Sequence, residues 1–184
     1  MTTTTLPTGL TAGTWAIDTS HSQAAFTVRH AGIAKVRGTV AITEGTVTVG
    51  EDLVATSVTA ILDPTTISTN DANRDGHLRS ADFFEVEAHP TWTFVSTSVA
   101  GTATQATVTG DLTIHGVTRE VELDVDFNGA ATDPFGASRI GFSASTEISR
   151  KDFGLTWNAA LETGGVLVSD KVKITLEVEA VAQA

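Results

Sequence analysis

The chain has 184 residues, enough for one domain with its own apolar core. Its 11 basic residues face 22 acidic ones, a formal net charge of −11, and it has no cysteine. The lack of cysteine excludes a disulfide framework, a thiolate nucleophile and a zinc–thiolate site. The charge argues against nucleic acid or an anionic membrane surface as partner, since both call for clustered Lys and Arg.

In chain order, residues 1 to about 12 are rich in Thr and Gly, lack periodicity and read as a frayed tail. They hold no basic residue and no apolar run, so they do not read as a secretory signal. No stretch approaches the ~18 apolar residues that span a bilayer. A soluble, cytoplasmic protein is expected. Residues 13–182 read as one β domain.

Within that domain the dominant signal is alternation. Ser22, Ala24, Phe26, Val28 and His30 fall on one face of a strand. Val36, Val40 and Ile42 follow, and Glu44-Gly45 reads as a turn. Val54, Val58, Ala60 and Leu62 alternate again, as do Val108, Leu112 and Ile114 before a turn at His115-Gly116. Val121, Leu123, Val125 and Phe127 alternate with Glu120, Glu122, Asp124 and Asp126. Ile140, Phe142, Ala144 and Ile148 come next, then Val172, Ile174, Leu176 and Val178 set against Lys171, Lys173, Glu177 and Glu179. A period of two buries one face and wets the other. About eight such strands, several about ten residues long, favour a meandering antiparallel sheet. Closing it into a barrel removes the exposed edges, and eight strands leave an interior filled by side chains or by one small ligand. The predicted fold class is all-β, an extended barrel.

One segment breaks the alternation. Asn70–Phe84 carries cap residues, a glycine, and Leu78, Ala81 and Phe84 at helical spacing, which predicts a short helical insert at one barrel end. Asp71 to Gly76 also matches the front of a calcium loop, with Asp82 at the twelfth position in place of the usual Glu. The preceding Leu62–Ile67, with its proline, does not read as the entering helix such a loop needs.

The histidines are His21, His30, His77, His89 and His115. None stands in an HxH or HExxH pair, so a metal site would need separate strands to assemble it, and none is expected. His89-Pro90 and His115-Gly116 read as turn residues. His21 and Ser22 are neighbours on a strand and point to opposite faces, which does not suit a nucleophile–base pair. There is neither a GxSxG elbow nor a glycine-rich phosphate loop. No catalytic residue and no cofactor are expected.

Five blocks together resemble the YceI-like, polyisoprenoid-binding family. They are Trp15-x-Ile17-Asp18-x-x-His21-Ser22-x-x-x-Phe26-x-Val28-x-His30, then Asn73-Arg74-Asp75-x-His77-Leu78-Arg79-Ser80-x-Asp82-Phe83-Phe84 with His89-Pro90, and then Gly110 to Thr118 (GDLTIHGVT). Arg150-Lys151-Asp152-Phe153-Gly154-Leu155 with Trp157, and Ser169-Asp170-x-Val172-x-Ile174, complete the set in the same order. The resemblance implies a lipocalin-like antiparallel barrel, often a homodimer. It also implies a ligand such as a polyprenyl chain, isoprenoid quinone, fatty acid or fatty amide threaded into an apolar tunnel.

On that picture Phe26, Val28, Val40, Ile42, Trp92, Phe94 and Phe142 are expected to line the tunnel. Arg74, His77, His21 and His30 are expected at a polar end that fixes the head group. The expected function is binding or carriage of a long amphiphile, with no catalysis. The alternative is an enzyme that acts on a small amphiphile through the His/Arg cluster.

Overall fold

The computed structural model of the chain describes residues 4–184. The strands are β1 (Gly13–Ile17), β2 (Gln23–His30), β3 (Ala34–Val49), β4 (Ser57–Ser68), β5 (Trp92–Gly101), β6 (Gln105–Ile114), β7 (Val117–Thr132), β8 (Ser138–Ser149) and β9 (Val168–Ala182). From β2 to β9 each strand pairs antiparallel with the next in sequence, and β9 returns to β2. The result is a closed eight-stranded up-and-down barrel. The strand β1 sits beyond the start of β2, between β3 (Ala16↔Thr46) and β9 (Ala16↔Val181). Thus β1 and β2 fill one position of the ring in tandem.

Alternation is the cause of this architecture, and β7 shows it most plainly. Glu120, Glu122, Asp124 and Asp126 are exposed, while Val121, Leu123, Val125 and Phe127 turn inward. The turn at His115-Gly116 is a two-residue hairpin with φ of 55° and 70°, positive at both positions as the twist of a tight hairpin requires.

Two expectations are corrected here. Glu44-Gly45 is no turn, because β3 runs through it and absorbs the irregularity as a register shift against β4 between Ile42 and Glu44. The N-terminal stretch does not fray throughout. Pro7 and Leu10 are buried, Leu6 packs on the core, and the backbone N–H of Leu53 donates to the carbonyl of Thr4. Its few apolar residues plug one barrel end, which the Thr-rich composition around them hides. Residues 1–3 of that expected tail lie outside the described residues.

The insert forms α1 (Ala72–Arg79), followed by turns to residue 88. Asp71 caps α1 by accepting from the N–H of Arg74 at 2.9 Å. Asp75, itself buried, accepts from the N–H and the hydroxyl of Thr69 at 2.8 and 2.6 Å and ties the helix back to the end of β4. Leu78 and Phe84 turn to the barrel as expected, but Ala81 is exposed and Phe83 takes its place. The helix closes the end where β4 and β8 stop, which we call the helical end. The N-terminal plug closes the other.

Candidate functional site: an apolar cavity inside the barrel

Three clusters of buried side chains ring the barrel interior instead of filling it. One holds Leu10, Trp15 and Ile17 at the plugged end, one Val40, Trp92, Phe153 and Leu155 at the helical end, and one Leu53, Phe94, Val99 and Val108 along the wall. Between them lies a cavity of about 280 Å3 that runs from Leu10 and Leu53 to Leu78 and Leu155. An apolar hole of ~150 Å3 already takes up benzene, so this one accommodates a larger guest.

All seven apolar residues expected on a tunnel wall are there: Phe26, Val28, Val40, Ile42, Trp92, Phe94 and Phe142. No polar atom reaches the cavity surface. Two of the phenylalanines fit only because glycine stands beneath them. A Cβ at Gly38 or Gly110 would collide with the ring of Phe26 or Phe94. Trp92 is 7% exposed, and its Nε1 is the one buried side-chain polar atom without a hydrogen-bond partner among the described residues. Its indole packs on Phe84 with ring centroids 4.7 Å apart.

Arg150 is the one charged residue on the wall. It is 4% exposed and turns its guanidinium away from the cavity toward backbone carbonyls. Nε donates to Ser169 at 3.0 Å and Nη1 to Leu155 at 2.6 Å. Burial pulls its pKa below the usual arginine value, and nearby Asp170 opposes that. The side chain staples the segment after β8 to the start of β9 and offers the cavity only its stem.

The four polar residues expected at one polar end do not gather, and none of them lines the cavity. Arg74 is exposed and bonds the hydroxyl and carbonyl of Thr69 at 2.7 and 3.0 Å. His30 is exposed where β2 ends. His77 bonds Asp82 at 2.8 Å. Its ring meets those of Phe83 and Trp157 edge-on at 5.0 and 4.7 Å, an aromatic clasp that joins α1 to the segment leading into β9. His21 stands at the plugged end, the whole length of β2 from His30. The alternating apolar residues lie on the cavity wall, but one strand's two ends are one barrel apart.

At that plugged end His21 belongs to an ion cluster. Asp18 accepts from Ser20 Oγ at 2.6 Å and from Arg139 at 2.8 Å, and His21 Nδ1 lies 2.9 Å from it. Arg139 also binds Asp133 at 2.7 Å and Glu179 at 2.6 Å. Ser20, Arg139 and His21 hold the Asp18 carboxyl well below its ordinary pKa, and Asp18 raises that of His21. Ser20 Oγ, 3.2 Å away, and Asp18 both face the same ring nitrogen of His21, so the trio is not arranged as a nucleophile, base and orienting acid.

Sequence reasoning missed one grouping. His89 and His115 are not merely turn residues, because the chain brings them together with Glu85. The two imidazole rings lie 5.0 Å apart, and Glu85 Oε2 is 4.0 and 3.8 Å from their Nε2 atoms. No spacing rule finds this group, since His115 comes from a hairpin 26 residues beyond His89.

The calcium-like hexamer is helix α1. Its carboxylates and Asp82 beyond it face three ways: Asp71 to the helix N-terminus, Asp75 to Thr69, and Asp82 to His77. Among the described residues no helix is long and apolar enough to cross a membrane.

Comparison with known proteins agrees with this geometry. A UPF0312 protein of Staphylococcus aureus is 37% identical over 168 residues, covering 88% of this chain and 94% of that protein. One of Staphylococcus epidermidis is 36% identical over 167 residues with the same coverage. Among solved structures, Burkholderia cenocepacia BcnA superposes with a TM-score of 0.76 at 20% identity, over 89% of this chain and 98% of that one. The Campylobacter jejuni YCEI protein gives 0.69 at 27% identity, over 85% and 90%. A polyisoprenoid binding domain from Saccharophagus degradans gives 0.67 at 16% identity, over 92% and 98%. The family model for the YceI-like domain matches residues 15–180, and the chain belongs to that family.

Proposed function

We propose that the protein binds and carries a long apolar chain, such as the tail of a polyisoprenoid, an isoprenoid quinone or a fatty acid or amide, inside the barrel. The observation that carries this reading is a cavity inside the barrel with no polar atom at its surface. Such a cavity gains roughly 0.8 kcal/mol per methylene taken from water and makes no demand on chain chemistry. The similar Saccharophagus degradans domain, described as polyisoprenoid binding, supports the same class of ligand. We propose binding without catalysis, and without nucleic acid as partner. The homodimer and the cytoplasmic location expected from the sequence belong to the same proposal, and light scattering and cell fractionation test them.

The test is native mass spectrometry of freshly purified protein with lipid extraction. One amphiphile per chain is expected. Val28→Trp, which fills the cavity, lowers its occupancy at unchanged fold. If nothing co-purifies and no member of a lipid panel raises Tm, the reading fails.

A further inference from the structure

We propose that Glu85, His89 and His115 bind a divalent ion of the zinc type. Their donor atoms lie within 4.8 Å of one another. Around a tetrahedral ion with bonds of ~2.0–2.1 Å, neighbouring donors stand about 3.3 Å apart. Each side chain therefore closes by less than about 1 Å to ligate, and Glu85, the most exposed, has the freedom to do so.

The local chemistry points the same way. His115 Nδ1 is 3.1 Å from the carbonyl of Phe153, which can only accept, so in the neutral ring Nδ1 carries the proton and Nε2 presents a lone pair. That lone pair faces a carboxylate oxygen at 3.8 Å, two acceptors that a cation between them reconciles. The backbone is shaped for the arrangement. Glu85 adopts a left-handed φ of 46°, which residues with a Cβ rarely take. Gly116 gives up its side-chain space to the His89 ring, whose Cε1 a Cβ would approach to 2.7 Å.

Two imidazoles and one carboxylate, with a fourth position left to water, suit Zn2+, Co2+ or Ni2+. Ca2+ and Mg2+ prefer a shell of oxygens. The other histidine–carboxylate group, Asp18, His21 and Glu179, already holds the Arg139 guanidinium among its carboxylates. An ion at Glu85, His89 and His115 ties the turns after α1 to the β6–β7 hairpin.

Calorimetric titration of the chelator-treated full chain with Zn2+, and visible absorption with Co2+, test this. One ion per chain, Co2+ bands of four- or five-coordinate geometry and a raised Tm are expected. His115→Ala and Glu85→Gln abolish all three, and His21→Ala leaves them intact. Circular dichroism of the metal-free variants checks their fold, and His89→Asn serves where His115→Ala unfolds. Absence of stoichiometric binding, or binding that survives loss of His115 or His89 in a folded chain, overturns the site.

A second inference rests on a different observation and on the lipid-binding reading. Arg29, Lys35, Arg37, Lys151, Lys171 and Lys173 are all exposed at the helical end. Register places them together: Arg29 opposes Lys35, and Thr27 lies between Arg37 and Lys173 on the two neighbouring strands. Glu147, Asp152, Glu162 and Asp170 lie near them at that end, and Asp71, Asp82 and Glu87 are exposed on α1 and the turns after it, so the basic face is the one built by β2, β3 and the start of β9. The exposed Glu120–Asp126 row of β7 is on the far side of the ring. The β2–β3 hairpin carries Ile33, 85% exposed, and its Ala31 N–H bonds Leu167 next to Val166, 50% exposed.

We infer that this end docks on an anionic bilayer, with the cations on the head groups and Ile33 and Val166 in the interface, where the cavity ends at Val168 and Arg150. The two exposed aliphatic residues favour a bilayer over nucleic acid. Co-sedimentation with phosphatidylcholine vesicles, with and without phosphatidylglycerol, tests it. Binding only to the anionic vesicles is expected, lost at high salt and reduced by Lys35→Glu with Arg37→Glu and by Ile33→Asp, but not by Glu122→Lys. Equal binding to both vesicles, indifference to these substitutions or a preference for duplex DNA overturns it. Native mass spectrometry of the same proteins separates the two readings. Retained lipid with no vesicle binding sinks the docking alone, and absence of lipid sinks the carrier reading.

Discussion

The ring of Phe26 occupies the space that a side chain at Gly38, its partner across the β2–β3 ladder, would fill. A Cβ at 38 would stand 2.7 Å from Phe26 Cε1 and 3.0 Å from the carbonyl oxygen of Ser68. Gly38→Val therefore overpacks the wall, at a cost of about 1–3 kcal/mol. It also drives the Phe26 ring into the cavity. Urea denaturation should show the lost stability, and a fluorescent fatty-acid probe should bind less tightly.

The clasp of His77, Phe83 and Trp157 holds the lid of the helical end to the segment before β9. Trp157→Ala removes aromatic contacts worth about 0.5–1.5 kcal/mol each. The expected result is faster ligand release, read by stopped-flow displacement, with a smaller change in Tm because the barrel ladders are untouched.

Asp75 is the acceptor for both hydrogen-bond donors of Thr69, inside the protein. Asp75→Ala leaves the Thr69 N–H buried and unpaired, which costs about 1–3 kcal/mol. Hydrogen exchange should show α1 and the end of β4 opening together, while β6–β8 stay protected.

The ion cluster at the plugged end gives two pH dependences of opposite sign. Ser20, Arg139 and His21 lower the Asp18 pKa in the folded state. Its contribution is present above the ordinary carboxylate value of ~3.9 and is lost as pH falls below that toward the folded value. The His21 pKa is raised, first by its bond to Asp18. That contribution is full below the ordinary imidazole value of ~6.5 and fades as pH rises through the folded value. Chemical denaturation across pH should show Asp18→Asn less sensitive than the parent to acid. His21→Ala should remove the decline on the alkaline side of ~6.5.

Calcium offers a further check. With Asp71, Asp75 and Asp82 each engaged elsewhere, addition of Ca2+ should leave Tm unchanged, since a ligand that binds only the native state must shift it.

The barrel was legible because its signal is local: Val121 to Phe127 and Val172 to Val178 declare a buried face by alternation alone. The wall residues follow from the same period. What stayed hidden depends on contacts distant in sequence. Glu44-Gly45 has the composition of a turn, yet β3 continues through it with a register shift against β4, and Gly45 leaves its side-chain space to Ile17 of β1. The charge count pointed away from a cationic surface, but single Lys and Arg residues on β2, β3 and β9 become neighbours only when the ring closes. His89 and His115 looked like punctuation until the fold set them beside Glu85.

The tandem placement of β1 and β2 means that this barrel has one stave in two pieces. Every other stave is a single ladder that must separate along its length. The split one can loosen a short piece, Gly13–Ile17, while Gln23–His30 stays zipped to β3 and β9. The joint at Asp18–Ser22 is where the wall can widen without the hoop coming apart. The Arg139 cluster, which clamps Asp18 to Glu179 across that joint, works as its buckle.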